Sequence, residues 1–399
     1  DGIDHFVLGE AEVTLPSFLE DLDKGCAQHI YNSNERPDIS QTPIPLWSLI
    51  NMKKYSSTNI QYSRGCPFNC EFCDIIILNG HTPRTKGKAQ VLAELEALYS
   101  QDWRGGGFIV DDNFIGNKKK LRAEILPVII KWMEEIRRPF VVVTKSSINL
   151  ADDEDLMQLM VKAGFDRVFV GIETPNEESL AECNKFTNIN RDLVASVKKI
   201  QNYGLEVQGG FIVGFDSDPV SIFENQISFI QRSGIVTAMV GLLNAPRGTR
   251  LYQRLKQENR LLKGFSGDNT DCSLNFMPKM NYETLINGYR HILNTIYSPK
   301  HYYERVKTFL KEYKPQKRER VFRFQFNYIR AVIRCTWFLG IKDKGRRYFW
   351  RLFVSTLLKH PRSLPISMNL AVYGFHFRKV AEQLNSTLIP EPRTACSTD

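Results

Sequence analysis

Between Thr58 and Leu243, short apolar runs alternate with stretches in which apolar residues return every three or four positions. The first pattern suits strands buried on both faces, and the second suits helices that cover them. Six strands are predicted, over Asn59 to Ser63, Gly107 to Asp111, Phe140 to Lys145, Arg167 to Ile172, Val207 to Val213 and Ala238 to Leu243. Helical spacing fills the gaps, as at Val91, Leu92, Leu95, Leu98 and Tyr99, and again at Leu156, Leu159, Met160 and Ala163. Successive βα units build a parallel sheet, which places the middle of the chain in the α/β class.

The flanks follow other patterns. Residues Asp1 to Glu10 read as a buried strand already in progress, followed by an amphipathic helix around Leu15 to Leu22. With Asp1 in first place, the chain is expected to begin inside a domain. Beyond about residue 255 the βα pattern stops, Asn269 to Met280 is irregular, and helical spacing resumes around Leu285 to Tyr297. The tail after Pro390 is expected to be disordered.

A chain of 399 residues is long enough for two or three domains or for one barrel with extensions. No run of eighteen uncharged apolar residues occurs and no secretory signal opens the chain, which argues against a membrane-spanning protein. Charge is unevenly spread. Residues 300–362 hold 18 Lys and Arg against 4 Asp and Glu, a balance of +14 that leaves −5 on the remainder of a chain whose net charge is +9.

The candidate chemistry lies just after the first predicted strand, in Arg64-Gly65-Cys66-Pro67-Phe68-Asn69-Cys70-Glu71-Phe72-Cys73. Cys66, Cys70 and Cys73 offer three thiolates to a centre that wants four, so an iron–sulfur cluster held there would keep one iron open to another ligand. The C-x3-C-x2-C spacing differs from the paired C-x2-C of structural zinc sites, and no second Cys or His pair follows at zinc-finger distance. Buried apolar cysteines or a zinc loop are the plainer alternatives. The other five cysteines are scattered, which fits neither a disulfide framework nor a second cluster and suggests a reducing compartment.

This motif, with Phe72 just before the third Cys, resembles the radical S-adenosylmethionine (SAM) superfamily. In that family the amino and carboxylate groups of SAM chelate the open iron of a [4Fe–4S] cluster, and an electron cleaves SAM to a 5′-deoxyadenosyl radical. The resemblance implies a partial (β/α)6 TIM-like barrel over residues 51–255 with a mainly helical C-terminal extension over 256–390, and disorder over 391–399. Parallel barrels carry their chemistry at the carboxyl ends of strands, where the Cys loop falls.

Other strand ends match the family's SAM contacts. Asp112 and Asn113, after strand two, stand where the SAM amino group is held; alone they read as an Asx turn or helix cap. Glu173 matches the position that hydrogen-bonds the ribose, with a capping carboxylate as the alternative. In Gly209-Gly210-Phe211-Ile212-Val213-Gly214, Gly210, Ile212 and Gly214 match the G-x-I-x-G stretch beside the adenine, where glycine admits a flat ring. The acidic residue usual there is displaced, with Asp216 the nearest. After strand six, Pro246-Arg247-Gly248-Thr249-Arg250-Leu251-Tyr252 resembles the P-x-G-T-x-L-Y turn of the branch that carries cobalamin domains.

Residues 1–50 are similar to the end of a Rossmann-like, cobalamin-binding domain and its linker. The D-x-H-x-x-G cobalt signature is absent, so any cobalamin site is expected largely outside this chain. The whole arrangement resembles hopanoid methylase-like proteins. It implies a radical SAM enzyme that methylates an unactivated carbon with cobalamin, supplied with electrons by a flavodoxin- or ferredoxin-like reductant and acting on a small molecule, a lipid among the candidates. No residue is singled out for substrate activation. RNA methylthiolation ranks lower, because it predicts three further upstream cysteines and only Cys26 precedes the motif; a scaffold with a structural cluster is the non-enzymatic alternative.

Tyr302 to Leu358 interleaves aromatic residues (Phe322, Phe324, Phe326, Tyr328, Trp337, Tyr348, Phe349, Trp350, Phe353) with arginines. A helical subdomain with buried rings and solvated cations accounts for this, as does peripheral contact with a membrane or docking of another domain; nucleic acid is least favoured. The expected location is the cytoplasm, with or without peripheral attachment to a membrane.

Overall fold

The computed structural model describes residues 2–137, 139–262, 273–315 and 326–386. The chain opens with β1 (Phe6–Leu8), α1 (Ala11–Asp23) and β2 (Ile30–Asn32), and the two strands pair in parallel with Val7 opposite Tyr31. Helix α1 covers one side of the pair, Phe18 meeting Tyr31 edge to face with ring centroids 5.4 Å apart. The opening strand is therefore present but not buried as expected. Phe6, Leu8 and Ile30 are exposed on the side away from α1, and Leu15, Leu19 and Leu22 are exposed on the helix.

The βα units follow. They run β3 (Ser57–Ile60), β4 (Ser63–Arg64), α2 (Ile75–Asn79), β5 (Arg84–Thr85), α3 (Lys88–Ser100), β6 (Gly106–Ile109) and a single helical turn α4 (Lys118–Lys120) that passes through a π-helical turn into α5 (Leu126–Glu135). Then come β7 (Val141–Ser146), α6 (Glu154–Lys162), β8 (Phe165–Glu173), α7 (Glu177–Glu182), α8 (Leu193–Asn202), β9 (Glu206–Val213), α9 (Ile222–Ser233), β10 (Ala238–Leu242) and α10 (Arg250–Gln257). Six strands form one parallel sheet in the order β10-β9-β8-β7-β6-β3. This is the expected six-stranded α/β arrangement, with strands in sequence order and β3 and β10 at its two edges.

Two strands start and stop earlier than the apolar runs suggest. The buried Asp111 carboxylate accepts hydrogen bonds from Tyr62 N (2.8 Å) and Ser63 Oγ (2.6 Å), so the chain leaves both β3 and β6 before these residues. Ser63 and Arg64 instead pair antiparallel with Arg84 and Thr85, and this small ribbon brackets the Cys loop.

The continuous apolar runs predict burial on both faces, and the sheet departs from this. Val142, Val168, Val170, Val207, Phe211 and Val213 are buried beneath the helices, among residues such as Leu156 and Met160 of α6 and Ile230 of α9. Their alternate neighbours Phe108, Lys145, Phe169, Gly210 and Ile212 are only half-buried, and Met239 is exposed. The edge strands β3 and β10 do not pair with each other, and the face opposite the helices remains accessible.

The extension consists of α11 (Tyr282–Ile296), α12 (Pro299–Glu312), α13 (Phe326–Trp337) with a π-helical turn over Phe338–Lys342, α14 (Arg346–Lys359) and α15 (Leu364–Ser386). Helices α11 and α12 pack on α9, and α14 and α15 pack on α12. Among the described residues Arg305 is the largest fully buried side chain; it donates to Gln231 Oε1 (2.7 Å), Ile296 O (2.8 Å) and Val236 O (3.1 Å), and so ties α12 to the sheet's helical layer. The aromatic and basic residues divide between two environments. Tyr302, Tyr303, Phe349 and Leu352 are buried, whereas Trp337, Phe338 and Trp350 are exposed. Phe322, Phe324, part of the irregular 269–280 segment and the tail expected to be disordered lie outside the described residues. Among the described residues no helix is long and apolar enough to cross a membrane.

Candidate active site at the carboxyl edge of the sheet

The Cys loop leaves β4 at Gly65, whose φ of +100° suits glycine and whose missing side chain would lie 2.8 Å from Thr82 O. Cys66 N then donates to Gly80 O (3.1 Å), and Cys73 N to Cys70 O (3.3 Å). Cys70 is buried, and Cys66 and Cys73 are half-buried. Burial pushes the Cys66 and Cys70 thiols up against the pull of the nearby Lys185 ammonium, and carries Cys73 to about 12. Unligated, the three remain thiols at neutral pH; a bound metal centre deprotonates them.

The loop is held from both flanks. On one side Arg64 donates to Glu10 (2.6 Å) and Glu12 (2.7 Å), and Arg84 to Glu10 (2.5 Å). Arg36 donates to Leu78 O (2.6 Å) and Ile77 O (2.9 Å) at the end of α2. On the other side the turn at Pro246 to Thr249 starts α10, whose N-cap Thr249 Oγ1 accepts from Tyr252 N (3.1 Å). That cap aims α10 at the loop. Arg250 donates to Asn69 O, Leu251 N to Glu71 O (3.1 Å), and Arg254 to the Glu71 carboxylate (2.9 Å). Arg254 also pairs with Asp216 (2.7 Å) and Glu182 (3.3 Å).

Phe72 leans on Phe215, with ring centroids 6.3 Å apart. Asp112 Oδ2 accepts from Asn79 Nδ2 (2.9 Å) and Gly65 N (3.4 Å), which fastens β6's end to the Cys loop, and Lys145 lies 3.9 Å from Oδ1. Asn113 is buried and joins the ends of β6 and β7, its Oδ1 accepting from Ser147 N (3.2 Å). Glu173 ends β8 with φ +62°, at a register shift against β9. Its carboxylate accepts from Lys185 Nζ (2.8 Å). Burial pulls the Lys185 ammonium down, but Glu173 holds it above the ordinary lysine range.

Gly171 and Gly210 lie opposite each other on β8 and β9. A methyl group on Gly171 would collide with Glu173 Oε1, and one on Gly210 would come within 2.8 Å of Phe169 Cζ. The missing side chains make room for the Glu173–Lys185 pair above Gly171 and for the Phe169 ring above Gly210, with Ile212 next along the strand. Gly214, at φ +107°, turns the chain out of β9; its N–H donates to Asp218 (2.9 Å), whose carboxyl is pushed up by burial to about 6. Asp216 is occupied elsewhere. Burial raises it, but Arg260 and Arg254 bring its carboxyl down to about 2.

Spacing gave no hint of Lys145, Lys185, Cys183 or Arg254. Cys183 is buried and its carbonyl accepts from Glu71 N (2.9 Å), yet in the sequence it is one of five scattered cysteines. Among the described residues no three His, Cys, Asp or Glu side chains converge on a single metal ion. Three thiols on one loop suit a cluster, whose separate irons take one thiolate each. The buried Glu173 carboxylate at the strand end suits a ligand that donates from hydroxyls. Within residues 1–50, His5 Nδ1 and His29 Nδ1 bond to Gln28 O and Asp4 O (2.7 Å each), which orients both rings across the β1–β2 pair.

Residues 60–230 match the family model of the radical SAM superfamily, and residues 249–388 match a domain of unknown function, DUF4070. The chain is 40% identical over 383 residues to an uncharacterized methyltransferase of Synechocystis, covering 96% of this chain and 71% of that protein. It is 30% identical over 359 residues to the hopanoid C-2 methylase of Rhodopseudomonas palustris, covering 88% of this chain and 67% of that one. The solved structure of OxsB, a cobalamin-dependent SAM radical enzyme with aqua-cobalamin and SAM bound, shares the fold at a TM-score of 0.56 and 14% identity, over 95% of this chain and 64% of that chain. The chain thus spans about two-thirds of the length of these proteins.

Proposed function

Since the chain belongs to the radical SAM superfamily, in the branch of the hopanoid C-2 methylase and its methyltransferase relatives, we propose that it binds a [4Fe–4S] cluster through Cys66, Cys70 and Cys73 and methylates an unactivated carbon of a small apolar molecule. The observation that carries this reading is the convergence, at the carboxyl edge of one parallel sheet, of three thiols on a doubly clamped loop with the Glu173–Lys185 pair, seated over Gly171. When bound, the cluster and SAM supply reductive cleavage and a substrate radical, and cobalamin, present in the OxsB structure, supplies the methyl group.

The chain's own residues bind and orient. Glu173, held by Lys185, accepts from ribose hydroxyls, and Gly210, Ile212 and Gly214 border the adenine. Asp112 and Asn113 fix the strand ends that face the SAM amino group, and Phe72 packs the loop's inner turn. The substrate lies against the accessible inner face, where Phe108, Phe169, Ile212 and Met239 offer an apolar surface suited to a lipid-like molecule. We divide the chain into 1–50 as the end of a cobalamin-type domain, 51–255 as the catalytic core and 256–390 as the extension. We read it as a cytoplasmic enzyme served by a flavodoxin- or ferredoxin-like reductant.

Anaerobic reconstitution tests the reading. The protein should take up about four irons and, with SAM and a strong reductant, release 5′-deoxyadenosine. Cys70→Ala should lose most of that iron and the product. Undiminished SAM cleavage with all three cysteines changed to Ala would end the proposal.

A further inference from the structure

The helical extension carries a surface for which the chemistry at the sheet's edge has no use. On α14, Trp350, Val354, Leu357 and Leu358 occupy positions i, i+4, i+7 and i+8, one stripe of a helix, and all four are exposed, Leu358 at 76%. The opposite stripe, with Phe349, Leu352 and Thr356, is buried. A helix apolar on both sides has a partner for each side or exposes a patch that water does not favour.

A second exposed stripe adjoins the first. Ile333, Trp337, Phe338 and Ile341 follow one another along α13 and its π-helical turn, each at least half exposed. Trp350 joins the two stripes, its Nε1 donating to Gly340 O (2.9 Å).

Cations frame this surface. From Arg330 to Arg362 the chain has nine Lys and Arg residues against one acid, Asp343, which is buried and paired with Arg378. Arg334, Arg347, Arg351 and Lys359 are exposed, and none forms an ion pair among the described residues. A second copy of the chain would set these like charges against each other. Nucleic acid would satisfy the arginines and stack on the rings, but would leave Val354, Leu357, Leu358 and Ile341 without an apolar partner. An anionic bilayer satisfies all three components: rings at the headgroup level, aliphatic side chains at the acyl boundary, and guanidinium groups on lipid phosphates.

We propose that the α13–α14 face docks in the plane of an anionic membrane surface without crossing it. This inference does not depend on the reaction assigned to the active site.

The test is flotation of the whole protein with phosphatidylcholine vesicles, with and without phosphatidylglycerol, at low and high NaCl. The protein should float with the anionic vesicles and be released as salt rises. Each Arg contributes about a fivefold gain near such a surface, so Arg347→Gln with Arg351→Gln should weaken binding roughly thirtyfold. Leu357→Ser with Leu358→Ser, at exposed positions, should also release the protein while its circular dichroism and melting temperature stay unchanged. Three results overturn the proposal: no flotation with anionic vesicles, binding that survives both double substitutions, or a dimer in light scattering that the Leu pair dissolves. RNA binding lost with the Arg pair, without vesicle binding, overturns it as well.

Discussion

A methyl group at position 171 has no space, because Glu173 Oε1 and Lys185 Nζ already fill the volume above the glycine. Gly171→Ala should displace the pair from the strand end. SAM affinity of the reconstituted protein should fall about tenfold, the loss of roughly one good charge-assisted hydrogen bond, with iron content unchanged in a colorimetric assay. Glu206, at the opposite end of β9, makes a different prediction. It is buried, with Oε1 unpartnered, and burial pushes its carboxyl up to about 7 in spite of Arg167. A raised carboxyl stabilises the fold below its unfolded value, near 4.3, and that contribution disappears as pH rises through about 7. Melting temperature should therefore fall between pH 5 and pH 8, by the equivalent of about 3 kcal/mol, and Glu206→Gln should flatten that slope without affecting SAM cleavage. Of these residues only Glu173 was legible beforehand, through its place in a family motif. Its left-handed backbone and its pairing with Lys185 were not, since both follow from a register shift between two strands.

The Cys loop has little regular structure of its own and owes its shape to its neighbours. Arg254 joins the loop at Glu71 to both α7 at Glu182 and the turn after β9 at Asp216. Replacing it with Met leaves Glu71 and Glu182 without their shared guanidinium, while Asp216 keeps Arg260. Amides between Gly65 and Gly80 should then exchange hydrogen at least ten times faster, by mass spectrometry, while those of α6 and β8 remain as protected as before. Equal protection of the loop in both proteins would show that α10 does not hold it. The elements themselves were largely readable, because β-branched runs and helical spacing are local signals. The first strand was misplaced by two or three residues because a buried carboxylate 48 positions away takes the hydrogen bonds of Tyr62 and Ser63. The π-helical turn before α5 had no signal in the apolar spacing.

At the scale of the whole molecule, Arg305 decides whether barrel and extension are one cooperative unit. It reaches two backbone carbonyls and Gln231 across the packing of α12 against α9. Arg305→Met would leave those acceptors buried without donors, at a cost of about 1–3 kcal/mol each. Urea denaturation should show one transition shifted to lower concentration, coincident by circular dichroism and tryptophan fluorescence; an extension that melts alone while the barrel midpoint stays fixed would contradict this. The basic charge was legible as a property of the tail, and its division into a buried ring layer and an exposed face needed the helices in place.

The two clamps on the Cys loop differ in when they can form. Glu10, Glu12 and Arg36 precede the loop in the chain, but Arg254 lies 183 residues after Glu71. At translation rates of about 5–20 residues per second, roughly 10–40 s separate the synthesis of one from that of the other. A nascent chain thus presents its three thiols with one flank secured, and the second flank can close only after the sixth strand has been made.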